Sequence, residues 1–178
     1  MQNKEFTIKI FVKRILEADG DWITLPMQEK DLKEAINKAV GENDFIISSI
    51  ENNYPDIFYI NEYSNIYALN QFLLRVYNAD ECDKRLLLSL YSFFDEEVEY
   101  VDKALRNLSS IDFLENVEDD KDETLGECLA NSGFIGEIPS NLKEYINYEA
   151  IGRDYYCSGF KYIKSLKTAI RQNKGFGE

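Results

Sequence analysis

The sequence predicts an α+β fold, laid out as an elongated chain of three small subdomains. Short β-rich segments occupy the stretch up to residue 61, apolar residues recur at helical spacing from Ser64 onward, and turn signals after residue 130 interrupt a second α+β unit. The expected boundaries are 1–61 for a small antiparallel sheet with one helix, 62–109 for a helical middle, and 110–178 for a C-terminal unit.

In the first subdomain, Phe6 to Val12 alternates in part and is rich in β-formers. Trp22 to Leu25 follows the turn signal Asp19-Gly20-Asp21, so the two read as paired strands that end at Pro26. From Gln28 to Val40, Leu32, Ala35, Ile36, Ala39 and Val40 share one helical face, with Glu29–Lys33 and Glu34–Lys38 spaced to pair on the other and Gly41 as the stop. Phe45 to Ile50 is the next strand, and Asp56 to Ile60 reads as another short one.

Three short helices follow. Ser64 is placed to cap the first (Ile66, Leu69, Phe72, Leu73, Val76), Asp80 or one of its neighbours the second (Leu86, Leu87, Leu90, Phe94), and Asp95 the third (Val98, Val101, Leu105, Leu108). Glu99–Lys103 and Asp102–Arg106 make part of the third helix a self-neutralised solvent face. In the C-terminal unit, Ile111, Phe113, Leu114, Val117 and Leu125 face a core. Gly133 to Gly136 and Pro139-Ser140-Asn141 are turn signals, after which Leu142, Tyr145, Ile146, Ala150 and Ile151 resume a helical pattern. The end is basic, with Lys161, Lys164, Lys167, Arg171 and Lys174.

Charge is the dominant compositional feature: 33 Asp+Glu against 20 Lys+Arg give a net charge of -13, concentrated between residues 80 and 127. Asp80, Glu81, Asp95, Glu96, Asp112, Glu115, Glu118, Asp119, Asp120, Asp122, Glu123 and Glu127 are opposed there by Lys84, Arg85, Lys103, Arg106 and Lys121. Such a surface keeps a protein soluble, repels nucleic acid and membranes, and attracts proteins whose Lys and Arg hold phosphates. At 44% hydrophobic and 13% aromatic, the chain is nevertheless a folded one. It contains no His, which excludes Ser-His-Asp and Cys-His catalysis and His-ligated metals. The odd, scattered Cys82, Cys128 and Cys157 read as reduced thiols in a cytoplasm, with no signal peptide and no membrane span.

Other motifs carry less. Residues 118–127 fail as a calcium loop, because placing Gly126 at the required glycine puts Lys121 and Leu125 at ligand positions. Carboxylate pairs for glycoside hydrolysis are unspecific in so acidic a chain. Gly175 and Gly177 lack the strand and helix that frame a phosphate loop. Tyr54, Phe58, Tyr59, Tyr63 and Tyr67 are expected to pack a junction between subdomains, since a base-stacking platform needs a cationic wall. No catalytic residue, metal site or cofactor is assigned.

One motif goes further. Pro139, Leu142, Tyr145, Ile146, Tyr148, Glu149, Gly152, Arg153 and Asp154, within IPSNLKEYINYEAIGRDYYCSG, resemble the C-terminal signature of the ArdA antirestriction family. INEYSNIYALNQF and RLLLSLYSFF resemble the family's middle unit, and the likeness runs from about residue 6 to 160. It implies an elongated, acidic, non-enzymatic homodimer that imitates bent duplex DNA in the DNA-binding groove of type I restriction-modification enzymes, the carboxylates named above standing in for phosphates. The signature residues read as structural, with Tyr145, Tyr148 and Ile151 in the core and Arg153 and Asp154 as a local ion pair. Leu129, Phe134, Ile135 and Ile138, apolar around a turn, are the expected dimer contact. The basic end stands where the family finishes with a strand and acidic residues, and the Asn52 to Pro55 region is longer. The second reading is an inhibitor on the same scaffold aimed at another nucleic-acid-binding system, such as a CRISPR effector or nucleoid protein; the third is a carboxylate-based hydrolase. No direct nucleic-acid binding and no membrane association are expected.

Overall fold

The structure, a computed structural model, describes residues 7–175. Phe6, the expected start of the first strand, and Gly177 of the C-terminal glycine pair lie outside the described residues. The architecture is α+β, and the chain divides into two compact units, one ending at Lys84 and the other beginning at Arg85.

In the first unit, β1 (Ile8–Arg14) is the central strand of a three-stranded antiparallel sheet, between β2 (Gly20–Leu25) and β3 (Phe45–Asn52). Alternation decides its two faces: Ile8, Ile10, Val12, Ile23, Leu25 and Ile47 are buried, whereas Lys9 and Trp22 are exposed. Helix α1 (Glu29–Val40) adds Leu32, Ile36 and Val40 to that core and ends at Gly41, whose φ of 68° suits glycine. Lys33 pairs with Glu29 at 2.6 Å as expected, but Glu34 pairs with Lys30, and Lys38 reaches Asp21 at 3.3 Å. The sheet neighbour thus outcompetes the expected Glu34–Lys38 pair.

No strand forms at Asp56 to Ile60. The Asn52 side chain binds the Tyr54 N–H at 2.8 Å and the Phe58 carbonyl at 3.1 Å, closing a turn, and Ile57 and Phe58 anchor it in the core. Tyr59 and Tyr63 are 80% and 76% exposed, so these two are not packed as expected; Phe58 alone of that set is fully buried. Helix α2 (Ile66–Asn78) is capped by Asn65 rather than Ser64, its Oδ1 accepting from Tyr67 N and Ala68 N at 3.1 Å. Buried Asn70 exchanges two 2.9 Å bonds with the Met27 backbone, satisfying a loop that leaves β2.

Helix α3 (Glu81–Phe93) contains the division between the units and is capped by Asp80, which accepts from Asp83 N at 2.9 Å. The second unit continues with α4 (Val98–Arg106), β4 (Ile111–Glu115), α5 (Asp122–Asn131), a 3-10 turn at Ser140–Tyr145, α6 (Tyr148–Cys157), β5 (Lys161–Ile163) and β6 (Thr168–Gln172). Asp95 does not cap α4. It and Glu96 sit at φ 49° and 71°, forming the turn between α3 and α4. Leu108, expected on the core side, is half exposed where a 3-10 turn replaces the helix.

The basic end is not a tail. β6 lies between β4 and β5 in a second antiparallel sheet, with Phe113 opposite Ile170 and Tyr162 opposite Ala169. Leu114, Val117, Leu125, Leu129, Phe160 and Ala169 form the core beneath it. Ser89 of α3 and Thr168 of β6 share a fully buried 2.9 Å hydrogen bond, so each hydroxyl is satisfied by the other.

Candidate acidic interaction surface

The acidic residues separate into those that build the second unit and those that remain open to a partner. Asp112 is the clearest builder. Its side chain is 11% exposed; one carboxylate oxygen takes Arg171 Nε at 2.9 Å and Nη2 at 2.5 Å, and the other takes Asn173 at 2.6 Å. Arg171 also donates to Ser158 Oγ at 2.6 Å and lies over the Tyr155 and Phe160 rings. This planar, bidentate, ring-stacked fork removes Asp112 from the exposed set in which the charge pattern placed it.

Asp119 is a builder as well. It binds Lys121 Nζ and Thr124 Oγ1, each at 2.5 Å, and the Lys121 N–H at 3.2 Å. Those bonds, from Lys121 first and Thr124 second, hold its pKa at about 2, and they join the loop after β4 to the first turn of α5. Asp80 spends its carboxylate on the α3 cap. Glu115 meets Arg85 at 3.5 Å, Glu81 meets Lys84 at 2.9 Å, Asp95 meets Lys161 at 3.7 Å, and Glu118 meets Lys167.

Asp120, Glu123 and Glu127 are exposed and, among the described residues, join no salt bridge. Glu123 and Glu127 stand four apart on α5, on the same outward stripe. Asp122 is half-buried, at the α5 N-terminus where a negative charge is favoured, and Glu96 is half-buried beside exposed Asp95. The field of this segment reaches inward: burial, then the charges of Asp120 and Asp122, push the Tyr156 hydroxyl up to about 12, and that hydroxyl is buried with no hydrogen-bond partner among the described residues.

The expected dimer contact changes composition. Leu129 is fully buried beneath the sheet and is not available to a second copy. Phe134 is 37% exposed and packs edge-on against Tyr155 and Phe160, while Ile135 and Ile138 are half-buried. Exposed apolar surface in this region comes from Leu142 and, at 82%, Tyr145. Tyr145 is therefore not core: the 3-10 turn after Pro139 rotates it away from the apolar side that a continuous helix would have given it.

The rest of the signature is structural in a different way from the one its sequence suggests. Asn147 caps α6 by accepting from Ala150 N at 3.0 Å, Tyr148 donates its hydroxyl to the Lys143 carbonyl at 3.2 Å, and Ile146 and Ile151 are half-buried. Gly152 is fully buried at the crossing of α6 with α5. Glu149, Arg153 and Asp154 are exposed, and the last two, adjacent on a helix, point about 100° apart. Their expected ion pair does not form.

Thr124, Tyr162 and Lys167, which hold the loop after β4, carry no local sequence signal for that role, because their partners are met only through the fold. Among the described residues no group of His, Cys, Asp and Glu is arranged to hold a metal ion, and no helix is long and apolar enough to cross a membrane.

The fold and the open carboxylates on a helix and its approach loop define an acidic α+β protein with a negative surface patch. Residues 17–165 match the family model of the antirestriction protein ArdA, and the chain belongs to that family of non-enzymatic inhibitors of type I restriction-modification enzymes. No curated protein matches the chain.

Proposed function

We propose that the chain inhibits a type I restriction-modification enzyme as a DNA mimic, its open carboxylates occupying the groove that otherwise holds phosphates. The observation that supports this most directly is that Asp120, Glu123 and Glu127 lie exposed and, among the described residues, join no salt bridge. Residues four apart on a helix have Cβ atoms about 5–6 Å apart, close to the separation of successive phosphates along a strand, so the same Lys and Arg reach both. Asp95 and Glu115, whose pairs are solvent-exposed, and Glu96 extend the negative surface, because such pairs exchange partners at little cost. The inhibitor acts in the cytoplasm as a homodimer through the Phe134, Ile135 and Ile138 region, and it binds no duplex DNA itself.

The test is inhibition of a type I restriction enzyme by Asp120→Asn, Glu123→Gln, Glu127→Gln and the triple variant, at several salt concentrations. Each single change weakens inhibition by about 1 kcal/mol or less; the triple change weakens it strongly and flattens its salt dependence. A fully active triple variant with an intact fold sinks the assignment of this surface. Abolition by one folded single variant would instead point to a localised site.

A further inference from the structure

The β5–β6 hairpin grips the acidic segment at its first residues. Val117 N–H donates to the Lys167 carbonyl at 2.9 Å, the Tyr162 hydroxyl donates to the Glu118 carbonyl at 3.2 Å, and the Lys167 ammonium binds the Glu118 carboxylate. Lys167 has a φ of 52°, so both its carbonyl and its side chain serve the same strand of loop from one left-handed residue. Asp119 carries the constraint onward through Lys121 and Thr124, the latter in the first turn of α5. A continuous run of bonds therefore leads from the hairpin to the helix bearing Glu123 and Glu127, and Asp120 is exposed in the middle of it.

We propose that Lys167 and Tyr162 are positioning residues of the inhibitor: they set the course of residues 117–121, and Glu118 is an internal anchor rather than a contact with the target. The inference rests on the reading above that this acidic segment faces the target. Charge alone predicts the opposite sign. Removing a lysine makes the inhibitor more negative, and that strengthens its attraction to a basic groove. Loss of the tether weakens inhibition, because the carboxylates must then be ordered at the moment of binding.

The experiment uses the full chain. Lys167→Asn removes the ammonium with a side chain that tolerates left-handed backbone, and Tyr162→Phe removes one hydroxyl while keeping the ring. Inhibition of a type I restriction enzyme is measured beside hydrogen exchange of amides 117–121, with circular dichroism for the fold. Lys167→Asn is expected to weaken inhibition about three- to tenfold and Tyr162→Phe about two- to fivefold, both with faster exchange at 117–121. Glu118→Gln reproduces the loss seen in Lys167→Asn, and the double variant is no worse than either, since both delete one contact. Inhibition by Lys167→Asn equal to or better than the parent, additive losses in the double variant, or unchanged exchange would overturn the proposal. The triple variant at Asp120, Glu123 and Glu127 reads the interface separately. If it inhibits like the parent, the interface assignment falls, and the exchange rates still decide whether Lys167 holds the segment.

Discussion

Gly126 of α5 and Gly152 of α6 each lie against the other helix's backbone. A Cβ on Gly126 would stand 2.0 Å from the Tyr148 carbonyl oxygen, and one on Gly152 would stand 1.7 Å from the Asp122 carbonyl oxygen. Asp122 and Gly126 are one helical turn apart, as are Tyr148 and Gly152, so the helices cross antiparallel with a reciprocal glycine contact. The absence of side chains lets Cα–H groups approach the facing carbonyls, and it seats the acidic N-terminus of α5 against Gly152 in the middle of α6.

Gly152→Ala is accordingly expected to destabilise the protein by about 2–3 kcal/mol, because the added carbon meets backbone rather than a movable side chain. Gly126→Ala should do the same. Urea unfolding measures both, and a change under about 0.5 kcal/mol in either would mean that the helices separate freely.

The pH response follows from Asp119. Its carboxyl titrates at about 2 in the folded chain against an ordinary 3.8, so its contribution is fully present above the ordinary value and is lost as pH falls from about 4 to about 2. Asp119→Asn removes that contribution. Its melting temperature should therefore fall less steeply than the parent's between pH 4 and pH 2, as followed by thermal melts; parallel curves would contradict the assignment.

Arg171→Lys tests the fork on Asp112. Lysine keeps the charge but cannot donate two parallel bonds to one carboxylate oxygen while reaching Ser158, so stability should drop by about 1–3 kcal/mol. The salt slope of inhibition should stay that of the parent, because Asp112 does not face a partner. A folded, fully stable variant with an altered slope would return Asp112 to the surface set.

Self-association is read through Tyr145 and Phe134. Tyr145→Glu is expected to leave stability within about 0.5 kcal/mol, since the ring is 82% exposed, whereas Phe134→Lys also loses its contacts with Tyr155 and Phe160. Light scattering at micromolar concentration should show a dimer for the parent and a shift toward monomer for both variants. A monomeric parent removes the homodimer while leaving the inhibitory surface in place.

Local patterns carried much of this protein. Alternation in β1 and β2, the apolar face of α1, the Asp80 cap and the signature from Pro139 to Asp154 are all statements about neighbours within a few residues, and they were legible for that reason. Errors fell where two nearby residues compete for one role: Asn65 capped α2 in place of Ser64, and the 3-10 turn, unforeseen in the helical pattern, exposed Tyr145. The excess of acid follows from composition alone. Which carboxylates are open does not. Asp112 and Asp120 are equivalent in the sequence, yet β4–β6 pairing places Arg171 beside Asp112, while Asp120 stands exposed in a loop and joins no salt bridge among the described residues. Sequence determined the charge; only tertiary structure, by bringing residues 112 and 171 together across a sheet, decided which charges were already neutralised.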